Sequence, residues 1–88
     1  MAWRIELSPV ADKQLDKLDR QAAIRILQFL ETRIGALDDP RQLGSPLAGP
    51  MRGYWRYRVG DYRVICDLLD DVLVVLVIEI GHRREVYR

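Results

Sequence analysis

A change in hydrophobic periodicity near Tyr54 is the feature that most constrains the fold of this chain. Before it, apolar residues recur at helical spacing; after it, they alternate with polar residues, as in strands with one buried face. The stretch GYWRYRVGDYRV, residues 53–64, contains two such strands around Gly60-Asp61. A glycine in first position of a two-residue loop is typical of a type II′ hairpin turn. We therefore predict helices in the first half of the chain and an antiparallel meander in the second.

The turn also predicts which residues face each other across the hairpin. Val59 pairs with Tyr62, and counting outward places Arg58 opposite Arg63. One face of the hairpin is apolar and is predicted to join the core: Trp55, Tyr57, Val59, Tyr62, Val64 and Cys66. The other face, which we call the arginine face, carries Tyr54, Arg56, Arg58, Arg63, Ile65 and Asp67.

The three arginines on this face require an explanation. Arg58 opposite Arg63 places like charges directly across a strand pair, which destabilises a sheet. An anion bound between them would offset that repulsion, because arginine offers a planar fork of donors to phosphate or carboxylate. The alternative is that Arg58 turns into solvent at the hairpin tip and pairs with Asp61. Arg56 and Arg63 lie farther from the tip, and for them we favour an anion site.

The segments before the hairpin predict one strand and two helices. Residues 2–7 alternate as a strand, and Ser8 and Asp19 each precede a helical pattern as N-caps. The second helix runs to about Gly35, a common stop residue. Its apolar stripe has the spacing of an amphipathic helix: Ala23, Ile26, Leu27, Leu30 and Ile34.

The remaining segments predict a loop and a final strand. Residues 36–53 hold three of the four prolines and read as a loop. It is longer than most connections in compact domains, so we expect it either to be functional or to be partly ordered by packing of Leu43 and Leu47. After the hairpin, Asp70-Asp71 predicts a second turn and residues 72–80 predict a strand. Because that strand is apolar on both parities, we predict that it is covered on both faces or lies centrally in the sheet.

Composition and charge exclude several classes of protein. The 88 residues predict a single domain, 1–88, and the net charge of +1 means that any anion site is local. The lone Cys66 predicts a buried thiol and a reducing, cytoplasmic location. One His and one Cys are too few ligands for a zinc site of the usual kind, and we expect neither a metal nor a cofactor. No signal peptide is apparent, and the apolar run 72–80 is too short to span a membrane as a helix.

The C-terminal segment GHRREVYR, residues 81–88, forms a second basic cluster. Charge at a chain end is usually a solvated surface. Simple alternation from Ile78 predicts His82 on the arginine face and Arg83 on the other face, unless a break at Gly81 reverses them. His82 is accordingly either a general base or a surface histidine.

Two segments together resemble the RelE/ParE superfamily of type II toxins: LAGPMRGYWRYRVGDYRV, residues 47–64, and VIEIGHRREVYR, residues 77–88. The order of elements agrees with that family over essentially the whole chain. The resemblance implies an α+β microdomain: an N-terminal strand, a two-helix hairpin, then an antiparallel meander in a twisted sheet with the helices packed on one face.

The resemblance also implies a cognate antitoxin as partner and one of two activities. The RelE branch cleaves mRNA in the ribosomal A site, whereas the ParE branch inhibits DNA gyrase and is not a nuclease. A third alternative is a non-toxic member that only binds its antitoxin. Fold alone does not choose between these functions.

Residue matching under this resemblance favours the nuclease branch. Arg63 matches the key arginine after the hairpin turn, Arg83 the arginine after the last strand's glycine, and Tyr87 the C-terminal tyrosine. Arg56 matches a basic residue of the first hairpin strand, whereas Tyr54 stands where a second lysine is expected. These matches imply catalytic roles for Arg56, Arg63, Arg83 and Tyr87. The candidates for substrate binding are Arg58, His82 and Tyr54.

The implied chemistry is attack of a ribose 2′-hydroxyl on its own 3′-phosphate, which needs a base, a charge clamp and a leaving-group acid. We expect Arg56 and Arg63 to hold the phosphate, and Arg83 either to stabilise the transition state or to assist protonation of the leaving 5′-oxygen indirectly. Tyr87 would act as the base or stack on a nucleobase, with His82 as the competing base.

Overall fold

The structure, a computed structural model, describes residues 3–82. Its helices are α1 (Pro9–Lys17) and α2 (Arg20–Gln28), and α2 continues into a π-helical turn, Phe29–Ile34. Two 3₁₀ turns follow, Pro40–Gln42 and Gly49–Met51. The strands are β1 (Arg4–Leu7), β2 (Ser45–Pro46), β3 (Trp55–Val59), β4 (Tyr62–Leu69) and β5 (Val74–His82).

The strands form one five-stranded sheet in the order β1-β5-β4-β3-β2. All neighbours are antiparallel except β1, which runs parallel to β5. Both helices pack on one face, where Ala11, Leu15 and Ile26 join strand residues in the core. The predicted α+β class, with the helices on one side of the sheet, is confirmed. Of the two alternatives for the last predicted strand, the interior position is observed, because β5 lies between β1 and β4. Within residues 3–82, no helix is long and apolar enough to cross a membrane.

Both helices begin where the sequence predicts. The Ser8 hydroxyl accepts a hydrogen bond from the Ala11 amide at 3.0 Å, and Pro9 occupies the first turn of α1. The Asp19 carboxylate accepts from the Ala22 amide at 2.8 Å. Each cap satisfies an amide that has no partner within its helix.

The second helical segment ends at Gly35 as predicted, but its last turn is wider than an α-helix. The Gly35 amide donates to the Leu30 carbonyl at 2.7 Å, an i to i−5 bond that defines a π turn. Leu30 and Ile34 are fully buried on either side of this widening. A Cβ at Gly35 would lie 3.0 Å from the Trp3 carbonyl oxygen, so close packing of the helix end on β1 favours glycine here.

The predicted loop, residues 36–53, is ordered by polar contacts rather than by Leu43. That side chain is 44% exposed, so of the two alternatives for this loop, the one in which Leu43 packs to order it is wrong for that residue. Instead, the Tyr57 hydroxyl donates to the Pro40 carbonyl at 2.7 Å, and the Trp3 indole donates to the Asp38 carbonyl at 3.1 Å. The loop also contains β2, whose two residues pair with β3 and extend the sheet. The sequence did not predict this strand, because the prolines of the segment indicated a loop.

The hairpin register is confirmed. Val59 pairs with Tyr62 and Arg58 with Arg63, and Gly60 has φ of 60° while Asp61 does not have a positive φ, as a type II′ turn requires. The predicted apolar face is in the core, with Trp55 and Tyr62 partly buried at its margin.

The second turn and the last strand depart from prediction. The turn spans residues 70–73 rather than Asp70-Asp71 alone, and Leu73 adopts a positive φ of 55°. Val72 and Leu73 are therefore exposed in the turn, and β5 begins at Val74. Pairing also shifts between Ile65–Glu79 and Cys66–Val77, which leaves Ile78 as an extra residue in β5.

Candidate functional site

The arginine face is the face of the sheet opposite the helices. Cross-strand pairing arranges it in rows, of which two contain the arginines: Arg58, Arg63 and Gly81 in one, and Ser45, Arg56, Ile65 and Glu79 in the next. The structure thus brings Arg56, Arg58 and Arg63 together as the alternation predicted. Gly81 presents no side chain at the position directly across from Arg63.

Arg58 and Arg63 pair in register but differ sharply in exposure. Arg58 is exposed beside the turn, whereas Arg63 is only 7% exposed and its Nη1 donates to the Tyr62 carbonyl at 3.3 Å. Beneath the same face, Ile65 is fully buried. Burial of a cation costs free energy that surface arginines do not incur. The sequence identified Arg63 as a candidate but did not predict that it is buried.

His82 lies on the other side of the sheet from the arginines, so its predicted placement is wrong. The extra residue Ile78 reverses the alternation, and His82 pairs with Tyr62 on the helix side. The two rings meet edge to face with centroids 6.1 Å apart. They line a cleft of about 360 Å³ against α1, with Gln14, Lys17 and Leu18 on its opposite wall. Simple alternation placed His82 on the wrong face because the strand changes parity at Ile78, three residues before the predicted break at Gly81.

The edge of β5 that continues past β1 is occupied by the side chains of Gln14 in α1 and of Ser8, the N-cap of α1. The Gln14 Oε1 accepts from the Ile80 amide at 2.6 Å, and the Ser8 hydroxyl donates to the Ile78 carbonyl at 2.9 Å. These two groups satisfy backbone positions past the point where β1 ends. The cleft around His82 is therefore bounded by contacts that stabilise the fold.

Of the other predicted site residues, Tyr54 lies within the described chain, whereas Arg83 and Tyr87 do not. Tyr54 precedes β3 and is half-buried, and its carbonyl accepts from the Leu47 amide at 3.1 Å. Because Arg83 and Tyr87 lie outside residues 3–82, the catalytic roles implied for them stay predictions.

The buried titratable groups of the core are not suited to acid–base chemistry near neutral pH. Burial raises the pKa of the Cys66 thiol and that of the Tyr57 hydroxyl well above their ordinary values. Both side chains point to the helix side of the sheet, away from the arginines. Among residues 3–82, no group of three or more His, Cys, Asp or Glu side chains is placed to hold a metal ion.

Sequence reasoning missed one part of this region. Arg56 and Arg58 line a groove at the outer edge of β3 together with Phe29 and Arg33 from the π turn. No local signal connects Phe29 and Arg33 to the hairpin, because their proximity arises only when α2 packs on the sheet.

Sequence comparison identifies relatives over nearly the full length of the chain. The family described as "ParE toxin of type II toxin-antitoxin system, parDE" matches residues 5–87. Toxin RelG of Mycobacterium tuberculosis is 26% identical over 89 residues, covering 100% of this chain and 99% of that protein. Toxin RelE of the same organism is 29% identical over 86 residues, covering 98% of this chain and 87% of that protein.

Solved structures share the fold. The toxin–antitoxin complex RelBE2 from M. tuberculosis contains a chain with a TM-score of 0.84 at 21% identity, covering 97% of this chain and 95% of that one. The isolated E. coli RelE toxin gives a TM-score of 0.73 at 21% identity, covering 98% and 92%. Because the family match extends over residues 5–87, this chain belongs to the ParE toxin family of type II toxin–antitoxin systems, within the RelE/ParE superfamily.

Proposed function

We propose that this toxin is an endoribonuclease that cleaves mRNA on the ribosome and is neutralised by a cognate antitoxin. The observation that carries the proposal is the burial of Arg63 in the arginine face, one row from Arg56 and across from Gly81. A guanidinium held in the sheet is already oriented, so less side-chain freedom is lost when it binds an anion. Arginine also suits the charge that develops on phosphoryl oxygens.

The proposed reaction uses the substrate's own 2′-hydroxyl as nucleophile. A base removes the hydroxyl proton, the 2′-oxygen bonds to phosphorus, and the bond from phosphorus to the 5′-oxygen breaks as that oxygen takes up a proton. The products are a 2′,3′-cyclic phosphate and a 5′-hydroxyl. In this scheme Arg56 and Arg63 hold the phosphoryl oxygens, Arg83 stabilises the transition state, and Tyr87 acts as the base or stacks on a nucleobase.

The position of His82 leaves Tyr87 as the preferred base of the two candidates. The imidazole of His82 lies on the helix side, in edge contact with Tyr62. A phosphate held by Arg63 is on the opposite side of the sheet. An ordinary tyrosine ionises near pH 10, so neighbouring arginines would have to lower the pKa of Tyr87 for this role.

Inhibition of DNA gyrase is the second candidate function. It is favoured by the ParE description of the matching family and by Tyr54, which stands where the nuclease branch is expected to have lysine. In that case the arginine face would contact protein rather than RNA. A member that only binds its antitoxin is the third candidate.

The proposed antitoxin partner is supported by structural neighbours. The M. tuberculosis RelBE2 and E. coli RelBE structures are both toxin–antitoxin complexes, and they share this fold. Segments that cover such toxins are expected to be disordered until bound. Action on ribosomes would place this protein in the cytoplasm.

Two assays on the same expressed protein test the proposal. Primer extension should map new mRNA 5′ ends within ribosome-bound codons after induction without antitoxin, while purified toxin leaves gyrase supercoiling unaffected. Intact mRNA with inhibited gyrase would assign the chain to the gyrase inhibitors. Intact mRNA with active gyrase and normal growth would leave antitoxin binding as its function.

A further inference from the structure

A groove runs along the outer edge of β3, beside the arginine face. It encloses about 320 Å³ and is lined by Phe29, Arg33, Leu43, Ser45, Arg56 and Arg58. β2 pairs only with Trp55 and Arg56, so the groove lies where the edge of β3 continues past its short neighbour. We call it the β3-edge groove.

The chemistry of this groove is cationic and aromatic. Among its lining residues in the described part of the chain, three are arginines and none carries a carboxylate. The Arg33 guanidinium lies 5.9 Å from the centre of the Phe29 ring. Arg25 adds a further positive charge at the hairpin tip. Its guanidinium lies directly beside the turn, because a Cβ built on Gly60 would be 3.1 Å from the Arg25 Nη2. Such alternation of arginine with an aromatic ring is typical of surfaces that bind single-stranded nucleic acid.

The helical wall of the groove has an unusual backbone. Phe29 and Arg33 both belong to the π turn, Phe29–Ile34, and both reach the groove while Leu30 and Ile34 stay in the core. π turns are rare and occur frequently at functional sites. Continuation of the α-helix would change the direction of the side chains that follow the widening.

From this geometry we infer that the β3-edge groove binds one nucleotide of the mRNA strand next to the cleaved phosphate. Arg33 and Arg58 contact its phosphate, and the Phe29 ring contacts its base or ribose. Arg56 connects this subsite to the proposed cleavage site, because it lies on the arginine face and also lines the groove. The inference rests on the proposed nuclease function and adds a subsite to it.

An RNA strand fits these observations better than an acidic peptide does. Carboxylates would pair with the arginines but would leave the half-buried Phe29 ring without a planar partner and the exposed Leu43 without an apolar one. A nucleotide supplies both an anion and an aromatic face, and a groove of this size accommodates a small ligand of that kind. Continuity with the proposed cleavage site also requires the strand itself to pass this edge.

The test uses programmed ribosomes with a defined codon in the A site and the purified toxin under single-turnover conditions. Arg33→Gln should raise the toxin concentration that gives half-maximal cleavage by roughly tenfold, because a charge-assisted contact to phosphate is lost. The maximal rate should stay near that of the wild type, since Arg33 does not touch the cleaved phosphate. Arg33→Lys should recover part of the loss. Arg20→Gln, at an exposed position of α2, makes the same charge change as a control.

A chemical change in the RNA separates a contact from an indirect effect. Single phosphates near the cleaved bond are replaced in turn by uncharged methylphosphonates. At the position that occupies the groove, the replacement should raise the wild-type concentration for half-maximal cleavage. The same replacement should leave that concentration unchanged for Arg33→Gln. Independent, additive losses at every position would overturn the inference, as would Arg33→Gln behaving like Arg20→Gln.

Two further outcomes are distinct from these. Weaker binding of purified antitoxin by Arg33→Gln, with unchanged mRNA cleavage, would show that the groove holds an acidic protein segment and would overturn the inference. Failure of the wild type to cleave any ribosome-bound mRNA would overturn the proposed function, and the subsite with it.

Discussion

Arg41 donates to both carboxylate oxygens of Asp70, a residue 29 positions farther along the chain, at 3.1 and 2.7 Å. The same guanidinium donates to Asp39 at 3.1 Å and lies 5.8 Å from the centre of a Trp55 ring. These contacts tie the long loop to the turn between β4 and β5. Since the loop leads into β2 and the β3-edge groove, they help to position the groove wall.

Arg41→Gln should loosen the loop without unfolding the protein. The pair is exposed enough that its contribution to global stability is small. Amide hydrogen exchange of residues 38–43 should become faster, whereas exchange in β4 and β5 should stay as in the wild type. Arg20→Gln is the matched control, and equal exchange in both variants would contradict the role given to Arg41.

The same pair predicts a loss of stability in acid. The hydrogen bond from Arg41, together with attraction to its charge, holds the pKa of the Asp70 carboxyl below its ordinary value. A lowered folded-state pKa stabilises the protein above the unfolded value of about 3.9, and that stabilisation is lost as the pH falls through the folded value. Urea titrations at a series of pH values measure the free energy of unfolding of the wild type and of Asp70→Asn. The difference between the two proteins should shrink as the pH falls below about 3.9. A difference that stays constant from neutral pH to pH 3 would contradict this; Asp71→Asn controls for net charge.

Alkaline conditions should destabilise the core through Tyr57. Its side chain is buried and donates to the Pro40 carbonyl, and burial raises the pKa of the hydroxyl. A raised folded-state pKa stabilises the protein below the unfolded value of about 10, and stability is lost as the pH rises beyond it. Cys66, whose pKa is also raised by burial, adds to the loss from a lower pH upward.

Tyr57→Phe separates these contributions. It should cost about 1 to 2 kcal/mol at neutral pH, because the Pro40 carbonyl loses its donor. Above about pH 10, however, its stability should fall less steeply than that of the wild type. Chemical denaturation at a series of pH values measures both effects, and parallel curves for the two proteins would refute the assignment.

Arg63 should be the most important arginine of residues 3–82 for cleavage. Arg63→Lys keeps the charge but loses the planar fork of donors, whereas Arg63→Ala loses the charge and the donors. We therefore expect the cleavage rate to fall in the lysine variant and to fall further in the alanine variant. The alanine variant should lose on the order of a hundredfold or more. Of the three arginines on the arginine face, Arg58, at the exposed tip, should have the smallest effect on the maximal rate when it is replaced by alanine. Circular dichroism and antitoxin binding check that the Arg63 variants fold.

The C-terminal candidates should respond differently. Arg83→Ala should relieve toxicity most, since the proposed role of Arg83 is confined to the transition state. A chain lacking Tyr87 and Arg88 should be non-toxic yet bind antitoxin normally. Growth after induction, together with pull-down by tagged antitoxin, measures both properties. Persistent toxicity of the shortened chain would exclude Tyr87 as the base.

The hairpin could be predicted from sequence because its determinants are local. Gly60-Asp61 sets the turn, and the pleat then assigns each side chain to a face, so Arg58 opposite Arg63 follows directly. The helix caps at Ser8 and Asp19 are local in the same sense. Each of these features depends on residues within a few positions of one another.

The features that sequence did not predict depend on distant contacts. The extra residue at Ile78 has no signal in an apolar run, yet it sends His82 to the helix side. The burial of Arg63 and the meeting of Arg33 with Arg58 appear only once the sheet and helices have packed. Leu43 shows the converse case: packing of this loop residue was one of the two alternatives, yet its side chain is exposed.

The Ser8 hydroxyl also has a consequence for the order in which the protein can fold during synthesis. It accepts from the start of α1 and donates to the Ile78 carbonyl, 70 residues later in the chain. β1, just before it, finds its only strand neighbour among the described residues in β5. Contacts of such long range form slowly because a large loop must close first. A ribosome must therefore translate β5 before the first strand and helix reach their native contacts, so the native fold cannot form until β5 has been synthesised.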